Sequence, residues 1–136
     1  MRPHVKMLSG NYLTFEIKSE QSGGSPDCRL CSQLGETPLT ESLEHLISLC
    51  VKFSDVRTRI KTKMMSVCQE FGISIDIFKY SSSEFCQFLL DPSSLNLNQR
   101  VGITHPALPL LFKQSRDFCF SIDQTRSRKL KSLTNP

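Results

Sequence analysis

Four side chains with metal-binding chemistry stand close together in the first half of the chain. Cys28 and Cys31 lie two residues apart, His45 follows after a gap of thirteen, and Cys50 after a gap of four. Thiolate sulfur and imidazole nitrogen suit borderline-soft zinc, and four protein ligands close a tetrahedron with no position left for water or substrate. The pattern predicts one structural zinc ion on Cys28, Cys31, His45 and Cys50. The two residues between Cys28 and Cys31 allow a tight turn that aims both sulfurs at one ion. His45 and Cys50 are five apart, which a helical turn of 3.6 residues brings only roughly onto one face, so the helix carrying His45 is expected to end near Leu49 and release Cys50 at its exit. Pro38, with Thr37 or Thr40 as the cap, suits the start of that helix and leaves His45 near its middle. Buried core thiols beside one polar histidine are the alternative; so regular a spacing in so short a window weighs against it.

The elements that must position these ligands are mostly helical. Residues 4–9 read as a short helix stopped by Gly10, residues 14–18 alternate apolar and polar and are expected to be extended, and residues 19–27 read as a loop leading to the first ligand pair. After Cys50, Ser54 and Asp55 are read as the cap of a helix over residues 56–71 with Gly72 beyond its end. Val56, Ile60, Met64, Val67, Cys68 and Phe71 make its apolar face, and Arg57, Arg59, Lys61 and Lys63 its charged outside. A short helix is expected over residues 73–80 and another over 83–90, the latter with a capping box from Ser81 and Glu84 and a stop at Asp91-Pro92. A turn-rich connector over 93–104 leads to a last helix over about 108–130, whose end gathers Arg126, Arg128, Lys129 and Lys131. No internal repeat is visible. The expected fold is mainly α: a small CCHC zinc-stapled module with a leading helix over residues 1–54, and a helical C-terminal extension over 55–136.

The chain has 136 residues, 38% of them hydrophobic, enough for a modest core. No apolar run is long enough to span a membrane and the N-terminus lacks the apolar stretch of a signal peptide, so the expected location is intracellular, in nucleus or cytoplasm. In a reducing compartment the six cysteines are read as metal ligands and, for Cys68, Cys86 and Cys119, as core. Thioredoxin-like use of Cys28 and Cys31 is disfavoured because no βαβ pattern surrounds them. Residues 1–54 carry five Lys/Arg against six Asp/Glu and residues 55–136 carry twelve against seven, so the net positive charge belongs to the second part.

The order of features resembles the zinc-binding segment downstream of the reverse transcriptase domain in LINE-type, non-LTR retrotransposon polyproteins. The likeness is carried by Leu8-Ser9-Gly10-Asn11-Tyr12-Leu13-Thr14, by Ser25-Pro26 ahead of Cys28-x2-Cys31, and by Glu41-Ser42-Leu43-Glu44-His45-Leu46 followed by Cys50. Ser42 stands where that family often has Thr, Val51 where proline is common, and the gap after Cys31 is a few residues longer. Residues 85–101 and 111–126 look like the helical end of some such polyproteins. The resemblance implies a nucleic-acid-associated module, a C-terminal fragment of a polymerase polyprotein.

Enzymatic chemistry is not expected. Polymerases need paired aspartates for two divalent ions, and the acidic residues here are scattered. No Gly-rich phosphate loop occurs, and neither His4 nor His105 stands in a local pattern for activating a cysteine. The expected partners are RNA or DNA, met by Arg57, Arg59, Lys61, Lys63, Arg126, Arg128, Lys129 and Lys131 through phosphates, with Tyr12 and Phe15 as weaker candidates for base stacking. The alternatives are a scaffold docking on a reverse transcriptase body and a transposon remnant without function. No membrane and no small-molecule substrate are expected.

Overall fold

A computed structural model describes residues 3–8, 12, 14–32, 39–95 and 105–134 of the chain. Among them the architecture is mainly helical: α1 (Pro3–Leu8), α2 (Phe15–Ser22), α3 (Arg29–Ser32), α4 (Ser54–Glu70), α5 (Ser82–Leu90) and α6 (Leu108–Thr134). A π-helical turn at His45–Leu49 and 3-10 turns at Val51–Phe53, Ile77–Lys79 and Pro92–Leu95 join them.

α6 is the spine. Its 27 residues reach about 40 Å at 1.5 Å per residue. Leu108, Leu111, Ser115, Phe118, Cys119, Ile122 and Arg126 are buried and recur at three- and four-residue steps, giving one continuous inward stripe. α1, α3 and α4 all pack on it. α4 runs antiparallel to it: the Gln114 side chain, near the start of α6, donates to the Lys63 carbonyl, while Lys52, just ahead of α4, shares a recess with Lys129 and Ser132 near the end of α6. The buried cluster extends from Met7 through the cysteine ligands to Ile122, so packing is continuous across residue 54.

Local chemistry explains where elements start and stop. α5 has the expected capping box: Ser81 Oγ accepts from the Glu84 N–H, and the Glu84 carboxylate accepts from the Ser81 N–H. α4 ends in a Schellman motif, Gly72 taking φ +70° while its N–H donates to the Gln69 carbonyl and the Ile73 N–H to the Cys68 carbonyl.

Several expectations are corrected. Residues 14–18 are not extended: Thr14 is the N-cap of α2, its hydroxyl accepting from the Ile17 N–H, and the helix continues to Ser22 before Gly23 ends it. A five-residue alternation cannot distinguish a strand from a helix that anchors through its first residue, here Phe15. Residues 73–80 form only the 3-10 turn at Ile77–Lys79, because the Asp76 carboxylate captures the Phe78 N–H. Ser54 and Asp55 lie inside the first turn of α4, which grows directly out of the preceding 3-10 turn. Tyr12 and Phe15 are core residues, not stacking platforms. The helix stop assigned to Gly10, the caps assigned to Thr37 and Pro38, and most of the connector over 93–104 fall outside the described residues.

The N-terminal region is fastened to α6 by a buried ion pair. Arg126 meets Glu41 as a fork, Nη2 to Oε1 at 2.7 Å and Nε to Oε2 at 3.1 Å. Glu41 Oε1 also accepts from the Phe15 N–H at 2.8 Å, and the guanidinium lies 5.1 Å from the centre of the Phe15 ring. Burial alone would lower the Arg126 pKa, but the Glu41 carboxylate outweighs it and holds it above its ordinary value. Alongside, the Tyr12 hydroxyl donates to Asp123 at 2.8 Å. Arg126→Ala, which strands a buried carboxylate, is expected to cost about 3–5 kcal/mol in chemical denaturation. Replacing the pair together by Arg126→Met and Glu41→Gln, which keeps an acceptor for the Phe15 N–H, is expected to cost much less; equal losses would mean that the pairing is not what matters there.

Candidate metal centre

Two short pieces of backbone bring the ligands together. An isolated antiparallel bridge pairs Asp27 with Thr40; the Cys28 N–H donates to the Leu39 carbonyl at 2.7 Å and the Glu41 N–H to the Pro26 carbonyl at 2.8 Å. Thr40 therefore serves the bridge and does not cap the His45 helix. Ser42 takes that role, its hydroxyl accepting from the His45 N–H at 3.1 Å. The bridge fixes the first ligand pair against the entry to the second.

The second pair solves its spacing problem by widening the helix. Over His45–Leu49 the chain takes a π turn, closed by the Cys50 N–H donating five residues back to the His45 carbonyl at 2.7 Å. The wider turn brings residues five apart nearer to one face than an α turn would. His45 thus opens the turn instead of lying at mid-helix, while Cys50 stands at the exit after Leu49.

All four ligating atoms lie within 4.8 Å of one another, and all four residues are buried. Cys28 Sγ is 3.9 Å from Cys50 Sγ, Cys31 Sγ is 3.4 Å from Cys50 Sγ, and Cys31 Sγ is 3.4 Å from His45 Nε2. Bonds of about 2.3 Å to sulfur and 2.0 Å to imidazole make tetrahedral edges of about 3.8 Å between sulfurs and 3.6 Å between sulfur and nitrogen. The separations of 3.4–3.9 Å lie within about 0.4 Å of these edges and far exceed a disulfide bond; all six cysteines are free. The Cys3His group can hold one metal ion.

Backbone N–H groups favour charge on the sulfurs, and burial opposes it at all three. The N–H groups of Leu30 and Cys31 act to lower the Cys28 thiol, that of Val51 acts on Cys31 and that of Lys52 on Cys50. The contact between their sulfurs sets Cys28 and Cys50 against each other, drawing the Cys28 thiol down and pushing Cys50 up. Burial raises Cys31. Sulfurs this close cannot all be charged unless a cation sits among them.

Beneath the site lies Arg57, which the sequence assigned to the charged outside of α4. It is buried, donating through Nε to the Ile47 carbonyl at 2.8 Å and through Nη2 to the Cys50 carbonyl at 2.9 Å. Helical periodicity places residue 57 beside buried residues 60, 64 and 68, a signal masked by its charge. Arg126 is likewise withdrawn into its ion pair with Glu41. Lys61 is half-buried, its ammonium 4.7 Å from the Phe85 ring centre and 5.8 Å from that of Phe78. Arg59, Lys63, Arg128 and Lys131 remain exposed and Lys129 partly so. His105 accepts from the Ala107 N–H and meets the Phe71 ring edge-on. Cys68 and Cys119 are buried in the core, while Cys86 is half-buried.

Compared with models of protein families, with curated proteins and with solved structures, the chain matches none.

If the cation organises the site, chelation should lower the thermal midpoint of the purified chain, and His45→Ala should lower it similarly without further response to chelator. A midpoint indifferent to chelator in the wild-type chain would show that the four side chains hold their places without a metal.

Proposed function

We propose that the chain is a non-catalytic, zinc-stapled module that binds the phosphate backbone of nucleic acid. Zinc is the reading of the metal because three thiolates and one imidazole are a set that soft, tetrahedral ions prefer, and because a closed site leaves no position for substrate. The resemblance to the segment downstream of the reverse transcriptase domain in LINE-type polyproteins supports the same reading.

The observation that carries it is the cationic seam between α4 and α6. A groove there is lined by Val56, Arg59, Ile60 and Lys63 on one side and Asp117, Phe118 and Ser121 on the other. Further along α6, one recess is lined by Thr125, Arg128, Lys129 and Ser132, and another by Leu30, Lys52, Lys129, Ser132 and Leu133. Positions 118, 121, 125, 129 and 132 recur at helical spacing, so hydroxyls and cations share one side of α6. Five cations, Arg59, Lys63, Lys52, Arg128 and Lys129, meet one acid, Asp117, along these surfaces. Ammonium, guanidinium and hydroxyl donors on a long helix fit successive phosphates and carry no base code.

With about four phosphates neutralised, log K for single-stranded RNA or DNA should fall with log salt at a slope near −3. Fluorescence anisotropy across a salt series checks this. Arg59→Ala with Lys129→Ala should flatten the slope and weaken binding uniformly across sequences. Affinity indifferent to salt would remove the phosphate role.

A further inference from the structure

Arg57 presents an electrostatic puzzle. It is 9% exposed and, among the described residues, has no carboxylate paired with it. Its Nε and Nη2 donate to backbone carbonyls, those of Ile47 and Cys50. A charge withdrawn from water without an opposite charge is expensive, and an arginine does not neutralise itself at ordinary pH. The second of these carbonyls belongs to one of the four candidate metal ligands.

The metal centre resolves the imbalance. Three thiolates and a neutral imidazole around a divalent ion leave one net negative charge, also buried and itself in need of compensation. We propose that Arg57 is the built-in counter-cation of the metal centre, a positioning residue that holds the Cys50 carbonyl and offsets the surplus charge of a Cys3His site. Capping the π turn accounts for the hydrogen bonds alone, since cationic side chains commonly bond the last carbonyls of a helix. It does not account for a full charge placed in a dry interior beside sulfur ligands. The two roles separate experimentally, because an amide donates hydrogen bonds without charge and an ammonium carries charge without the guanidinium fork.

This inference rests on the zinc reading of the four ligands. The test is competition with a chromophoric chelator, reading zinc affinity in the full chain and in Arg57→Lys and Arg57→Gln. Arg57→Lys is expected to stay within a few-fold of wild type, and Arg57→Gln to lose about 10- to 100-fold, the range for groups just outside a metal's ligand shell. The same substitutions are repeated in Cys28→His, which makes the centre Cys2His2 and cancels its surplus charge. There the gap between Arg57→Lys and Arg57→Gln should close. Equal losses for Lys and Gln in the Cys3His chain, or an unchanged gap in Cys28→His, would overturn the counter-cation role and leave capping. A wild-type chain that binds no zinc would instead overturn the metal reading itself, and this inference with it.

Discussion

Three cysteine sulfurs and an imidazole nitrogen share one small, dry volume, and this constraint organises the N-terminal part of the molecule. Separations of 3.4–3.9 Å are too long for disulfides and too short for three free thiolates. The backbone accommodates the cluster at every step. A two-residue bridge pins Cys28, and a π turn aligns His45 with Cys50. With an ion bound, such a cluster would add coordination to apolar burial, since metal binding and folding share one free energy.

Two buried arginines then connect this centre to the helices. Arg57 reaches from α4 to the carbonyls around Cys50, and Arg126 reaches from α6 to Glu41, whose backbone joins the bridge beside Cys28. Each links an element of the helical part to a segment carrying ligands. Together with the shared apolar cluster they make the ligand-bearing segments and the long helix one packed body. With Arg57 and Arg126 withdrawn, Arg59, Lys63, Lys52, Arg128 and Lys129 are the cations that line the α4–α6 grooves.

Much of this was legible in the sequence, where short-range chemistry decides the outcome. The ligand spacing, the Ser81–Glu84 capping box, the Gly72 stop and the apolar face of α4 are local signals, each set within a few residues. What escaped was set by partners distant in the chain. Arg57 looked like surface because its charge outweighed its position on the buried face of α4, and its carbonyl partners belong to another element. Arg126 looked like part of a basic tail because Glu41 lies 85 residues away. The π turn was hidden because the sequence gives the interval between His45 and Cys50 but not which helical pitch fills it. Residues 14–18 misled because five alternating residues fit two periods.

The central claim is that one ion joins three sulfurs and one imidazole, and X-ray absorption at the zinc edge of the purified, zinc-loaded chain tests it most directly. The account predicts a shell of three sulfurs at about 2.3 Å and one nitrogen at about 2.0–2.1 Å, with no water ligand. A shell of oxygen and nitrogen alone, or one with fewer than three sulfurs and a bound water, would contradict it.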